Sequence, residues 1–194
     1  MPPKSKISKE QIIEQAFIML KKEGYSSITT RRLADSLQCS TQPIYHLFAN
    51  MEDLKKELYK KACVYFTEQI KNSLKKDTQE FLGMGLAYVK KAKEENHIFR
   101  FLYMENNYSL TDIRQLVESA DESVVTKGAV GMSGLEEMEE NKWSELFMMV
   151  WIFTHGIASI TSNNQVEMSE EQLRDILIKA YKAFALLEKE EPDA

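Results

Sequence analysis

Apolar residues along this 194-residue chain recur at helical spacing. Ile13, Ala16, Phe17 and Leu20 form the first set, and Gly24 follows where a helix would stop. Leu54, Leu58, Ala62, Tyr65, Phe66 and Ile70 predict a longer helix over residues 51–74. Shorter helices are predicted over 81–93, 95–104 and 110–126. A helix over 133–161 is apolar nearly all round in its middle (LFMMVWIF), which predicts burial on most sides. Leu173, Ile176, Leu177, Ala180, Phe184 and Leu187 mark a final amphipathic helix. No stretch alternates with period two. The pattern therefore predicts an all-α chain of about nine helices.

Start signals agree with that reading. Ser8-x-x-Gln11, Asn50-x-x-Asp53, Asp77-x-x-Glu80, Ser109-x-x-Asp112, Ser133-x-x-Glu136 and Ser169-x-x-Gln172 resemble capping boxes. In each, a short polar side chain can accept from an orphan amide while the residue three places on reaches back. Between Gly24 and Asn50 the pattern shortens to two pieces, 30–37 and 41–47, joined by Gln38-Cys39-Ser40. Thr29 or Thr30 can cap the first piece and Ser40 the second. Pro43 falls in a first turn, where its missing N–H costs little. Two short helices joined by a tight turn behind a longer helix have the layout of a helix-turn-helix.

Composition narrows the class and charge changes the picture. Apolar residues are 43% and charged residues 28%, with 7 Gly and 4 Pro, as in a globular protein of one or two domains. Cys39 and Cys63 form neither a disulfide framework nor a metal spacing. The start of the chain lacks a signal-peptide core, and the longest apolar run, 146–153, is eight residues against the ~18 of a membrane span. A reduced, cytoplasmic, soluble protein without a membrane partner, metal or cofactor is expected. The net charge of -5 argues at first against nucleic acid. Residues 1–62, however, hold 11 Lys/Arg against 7 Asp/Glu, a net of +4, whereas 63–194 hold 14 against 23, a net of -9. The chain is a basic head on an acidic body. The domain boundary is expected at 50/51, with the 51–74 helix leading into the body.

The second short helix offers the chemistry of a major-groove reader. Ile44, Leu47 and Phe48 have the spacing to face inward, which leaves Thr41, Gln42, Pro43, Tyr45 and His46 outward. Gln can pair with adenine, Thr can hydrogen-bond or touch a thymine methyl, and Pro offers an apolar edge. Tyr45 and His46 can reach phosphate oxygens. Thr30 and Arg31 can hold phosphate at the start of the preceding helix, and Lys4, Lys6 and Lys9 form a basic arm. Ser40 and Lys55 complete the expected DNA-binding set.

The run from Gly24-Tyr25-Ser26-Ser27-Ile28-Thr29-Thr30-Arg31-Arg32-Leu33-Ala34 through Ile44-Tyr45-His46-Leu47-Phe48 to Glu52-Asp53-Leu54 resembles the DNA-binding head of TetR-family transcriptional repressors. The likeness spans roughly residues 8–60. It implies an all-helical homodimer with a three-helix head, and a small molecule that enters the body and changes the separation of the two heads. It maps the family's phosphate contacts onto Thr30, Tyr45 and His46, and its base-reading positions onto Thr41, Gln42 and Pro43. Three departures stand out. Gln38 replaces the frequent Gly of the turn, so the turn must be made without a residue that enters the left-handed region freely. Cys39 takes a small aliphatic position, and Met51 takes that of a common phosphate-binding Lys.

In the body, the run Trp151 to Ser159 resembles the aromatic–His–Gly stretch of some penultimate helices in the same family. The resemblance implies a dimer interface on the last two helices. Phe147, Thr154, Ala158, Leu173, Leu177, Ala180 and Phe184 are the expected interface residues. Phe81, Met84, Tyr88, Phe99, Tyr103, Met104, Met148, Trp151 and His155 are the expected pocket residues, because ligand pockets are mostly apolar with a few polar groups. His97 is a further polar group of the body. Gly83-x-Gly85 lies inside a helical pattern with no preceding strand, so it is not a nucleotide loop. Glu136, Glu137, Glu139 and Glu140 suit a helix start. No nucleophile and base stand at motif spacing.

The reading is a DNA-binding repressor of a palindromic operator, released by a small apolar or amphipathic effector. A helical DNA-binding protein governed by a protein partner, or lacking ligand regulation, and a small helical enzyme are the alternatives.

Overall fold

The computed structural model describes residues 7–73, 80–105, 140–163 and 166–190. Among these are eight α-helices and no strand: α1 (Lys9–Glu23), α2 (Thr30–Ser36), α3 (Gln42–Leu47), α4 (Met51–Ser73), α5 (Glu80–Glu94), α6 (Asn96–Tyr103), α7 (Glu140–Ser162) and α8 (Glu170–Glu190). A 3₁₀ turn, Tyr25–Ser27, follows α1. The helix expected over 110–126, and the start signals at Ser109 and Ser133, lie outside the described residues; so does Asp77.

Three of the start signals can be followed atom by atom. Ser8 Oγ accepts from the Gln11 N–H at 3.2 Å while Gln11 Oε1 accepts from the Ser8 N–H at 2.9 Å. Ser169 and Gln172 repeat that exchange at 3.1 and 2.9 Å. Asn50 Oδ1 accepts from the Asp53 N–H at 2.9 Å, but Asp53 reaches back one residue further, to the Ala49 N–H.

Contacts group the chain into two compact units, Met1–Glu68 with His97–Asn106, and Gln69–Asn96 with Asn107–Ala194. In the first, Ile12, Ala16, Phe17 and Leu20 of α1 meet Leu33 and Ala34 of α2, Ile44 of α3, and Leu54, Leu58, Ala62 and Phe66 of α4 in one core. Helix α6 adds Ile98, Phe99, Phe101 and Leu102, all buried. Each such side chain contributes about 1.5–3 kcal/mol relative to exposure. Ring contacts order the aromatic part: Phe66 lies 6.2 Å from Phe99 and 6.1 Å from Tyr103, and Tyr25 stacks on Phe101 at 5.0 Å. Gly24 closes α1 with φ 81° and ψ 169°, a conformation open essentially to glycine. A Cβ there would also stand 3.1 Å from His97 Nδ1.

In the second unit α5, α7 and α8 pack on one another. Leu82, Ala87 and Val89 of α5 face Leu146, Phe147, Val150, Ile157 and Ala158 of α7 and Leu173, Leu177, Tyr181 and Ala185 of α8. Tyr181 crosses α5 at Gly85, where the missing side chain makes room for its hydroxyl. That hydroxyl lies 3.1 Å from Thr154 Oγ1, and burial pushes the phenol pKa up to about 12. By length and composition the segment Glu145–Ser162 could cross a membrane, with a mean hydropathy of 1.2. Its packing against α5 and α8 accounts for much of that apolar character.

Candidate nucleic-acid interface

Local sequence sets the path of the two short helices. Thr29 caps α2, its Oγ1 accepting from the Arg32 N–H at 3.2 Å. Helix α2 ends at Leu37, and the chain turns through Gln38 at φ 53°, the one non-glycine residue with positive φ among those described. The Gln38 N–H donates to the Asp35 carbonyl at 3.1 Å and the Cys39 N–H to the Ala34 carbonyl at 3.0 Å. That pair of bonds is a Schellman closure, which needs a left-handed residue at its centre. The turn was expected without such a residue; instead Gln38 adopts the conformation itself.

Helix α3 begins at Gln42, one residue later than its predicted start, with Thr41 as the N-cap residue and no side-chain cap bond. Ser40, expected to cap it, stands one place too early. Pro43 sits in the first turn, where no amide partner is lost. Ile44 (2% exposed) and Phe48 (4%) anchor the helix in the core, and Leu47 is half-buried. Tyr45 is 63% exposed, so it does not close the helical core. Gln42 and His46 are also exposed, and Thr41 and Pro43 are half-buried beside them. The outward face of α3 thus presents amide, phenol and imidazole on a helix fixed from beneath.

The cations divide by their engagements. Arg32 donates to Glu23 Oε2 at 2.6 Å and to the Ser27 carbonyl at 3.1 Å, tying α2 to the end of α1. Its hydrogen bond holds the Glu23 carboxyl below the usual range. Lys9 pairs with Glu57 at 3.3 Å and lies 5.3 Å from the centre of the Phe48 ring. Lys55 is drawn over the Tyr25 ring at 5.1 Å. Arg31, on α2, is exposed and has no carboxylate partner among the described residues. The Thr30 hydroxyl donates to Met51 Sδ at 3.2 Å, so the methionine at the usual lysine position holds that hydroxyl. Lys4 and Lys6 lie outside the described residues.

The expected body residues separate between the units. Phe99 is fully buried and lies 5.2 Å from Tyr103 in the first unit, where Met104 follows them. Met84, Tyr88, Met148, Trp151 and His155 belong to the second unit; the Phe81 side chain is outside the described set. The second unit brings three of them together: His155 stacks on Trp151 at 4.9 Å, and its Nδ1 lies 2.9 Å from the Tyr88 hydroxyl. Burial pushes the imidazole pKa down.

The expected interface residues are engaged within the chain. Ala158 and Leu177 are fully buried, and Phe147, Thr154 and Leu173 are buried. Ala180 and Phe184 are half-buried, Phe184 lying 6.0 Å from Phe153. The exposed apolar residues of α7 are Ile152 and Ile160, with Gly156 open between them, and those of α8 are Leu186 and Leu187. Residues 152, 156 and 160 share one face of α7 by their spacing. In a helix apolar all round that face has no polar border, so periodicity does not separate it from the face at 154 and 158.

Residues 12–58 match the family of bacterial regulatory proteins, tetR family. A protein of unknown function from Rhodococcus sp. RHA1 shares the fold, with a TM-score of 0.62 and 15% identity over 96% of this chain and 98% of its own. A search of curated proteins finds no match.

Proposed function

We propose that the chain is a DNA-binding transcriptional regulator of the TetR type, on the strength of the tetR-family match at residues 12–58 of an all-helical fold, and that it acts as a homodimeric repressor released from a palindromic operator by a small apolar or amphipathic ligand. The observation that carries the reading is the outward face of α3, where Gln42, Tyr45 and His46 stand exposed on a buried Ile44–Phe48 anchor. Gln42 reads base edges from the major groove, with Thr41 and Pro43 beside it. Tyr45, His46 and Arg31 bind phosphate and set the register. The basic heads, each +4 over residues 1–62, meet the duplex.

The Ile152–Gly156–Ile160 stripe of α7 supports dimerisation. It is apolar, exposed, and has open space above Gly156, so a second helix can approach closely. Met84, Met148, Trp151 and the Tyr88–His155 pair supply the apolar and polar groups of a sensing body. A ligand releases DNA only by binding the head-misaligned state more tightly than the aligned one.

Fragments selected from genomic DNA by the purified protein test the reading. They should share an inverted repeat with half-site centres about 34–36 Å apart, or a multiple of that spacing. Gly156 is exposed and nothing lies within 4 Å of a Cβ there, so Gly156→Phe adds bulk to the open face of α7. It should yield a monomer by sedimentation and lose the preference for the repeat. A dimeric Gly156→Phe protein would remove α7's exposed stripe from the interface.

A further inference from the structure

A cavity of about 420 Å³ opens in the second unit between α5, the end of α7 and the first turns of α8. Leu86, Ala87, Val89 and Leu173 give it an apolar wall. Lys90, Lys93 and Arg174 line it as well, against the carboxylates of Glu94 and Glu170. Those charges are unequally engaged. Glu94 is held by Lys91 at 2.7 Å and approached by Lys90 at 3.9 Å. Glu170 lies in the first turn of α8, where a carboxylate complements the helix dipole. Arg174 and Lys93 have no carboxylate partner among the described residues.

From this pairing of an apolar wall with two uncommitted cations, we infer that the cavity binds a small amphipathic carboxylate, its chain along Leu86, Val89 and Leu173 and its headgroup at Arg174 and Lys93. A guanidinium can grip a carboxylate with two parallel hydrogen bonds, and a neighbouring ammonium adds charge. An amine headgroup would face a lining of net positive charge, Lys90, Lys93 and Arg174 against Glu94 and Glu170, and an alcohol would leave the uncommitted cations without a counter-charge. At about 30 Å³ per water-sized group the cavity holds roughly 14 non-hydrogen atoms, the size of a medium-chain acid such as decanoate. Binding itself is independent of the regulatory reading; only its effect on DNA rests on that reading.

Calorimetric titration of the full chain with decanoate, decanol and decylamine tests the site. Decanoate should bind one per chain, with decanol and decylamine at least tenfold weaker. Arg174→Gln should weaken decanoate about tenfold or more, as loss of one charge-assisted contact does, and leave decanol unchanged. Leu86→Trp, which fills the recess, should abolish binding of both; an unliganded melting point equal to that of the unmodified chain shows that these variants fold. No heat with decanoate, equal binding of decanol or decylamine, or full affinity in Arg174→Gln would overturn the assignment. A DNA arm keeps the two readings apart. Decanoate bound at this site with operator affinity unchanged would leave the site standing and sink ligand release through it.

Discussion

Gly85→Ala gives the structure a sharp test, because two effects of opposite sign meet at one position. In an isolated helix the change stabilises by about 0.8–1 kcal/mol, since glycine is the poorer helix former. Here the added methyl falls on the Tyr181 hydroxyl and 3.4 Å from Leu177 Cδ1. Tyr181 is 2% exposed and its hydroxyl is hydrogen-bonded to Thr154, so the ring can neither swing to solvent nor stay without strain. Overpacking costs about 1–3 kcal/mol, and a buried hydroxyl parted from its partner about 1–3 kcal/mol more. The net expectation is destabilisation by roughly 1–5 kcal/mol. At about 2–4 °C per kcal/mol for a chain of this size, the melting point should fall by several degrees. Urea unfolding followed by circular dichroism measures it directly. The double variant Gly85→Ala, Tyr181→Phe removes the colliding oxygen and should recover much of the loss, giving a coupling energy of about 1 kcal/mol or more. If Gly85→Ala is as stable as the unmodified chain, or Tyr181→Phe fails to relieve it, the packing of α8 on α5 described above is wrong.

Three further outcomes are expected. Gln38→Gly should stabilise the chain by up to about 1 kcal/mol in urea, because a left-handed non-glycine residue carries a steric cost that glycine lacks; a loss of stability would show that the Gln38 side chain contributes more than its backbone costs. His155, with a folded pKa below that of an unfolded imidazole, binds protons more readily when the chain unfolds. Its contribution should be complete above about pH 6.5 and fall away as the pH drops through that value toward the lower folded pKa. The melting point of the unmodified chain should therefore fall between pH 7.5 and 5.5 more steeply than that of His155→Gln, and parallel slopes would contradict the burial of the ring. Gly24→Ala should cost about 1–3 kcal/mol through backbone strain, read by the same unfolding assay.

Much of the head was legible because short-range rules govern it. Thr29 in front of α2, Pro43 in the first turn of α3 and the spacing of Ile44 and Phe48 each act within a few residues. The Schellman turn at Gln38 was not legible, since the residue type argues against the conformation that the surrounding hydrogen bonds impose. Nor were the engagements of the cations. Arg31 and Arg32 are neighbours of the same type, yet Glu23, nine residues away, ties only Arg32 to α1. Lys55 and Thr30 depend on Tyr25 and Met51, long-range partners that no local pattern specifies. In the body, α5 to α8 were readable as helices, but the inward face of α7 was not, because a helix apolar on every side carries no phase. Gly83-x-Gly85 lies inside α5, as its helical pattern predicts, while the reason for Gly85, the Tyr181 hydroxyl, lies 96 residues further along the chain.

In the proposed complex α3 reads DNA bases while Arg31 holds the backbone. Fluorescence anisotropy with a selected duplex over a salt series measures both together. Binding should weaken as the salt concentration rises. Arg31→Ala should weaken every sequence alike and flatten the salt slope by about 1, whereas Gln42→Ala should cost about 1–3 kcal/mol on the selected duplex and relax the preference at one base pair. Binding that is absent or indifferent to salt, or a pair of variants with these two effects exchanged, would contradict that arrangement.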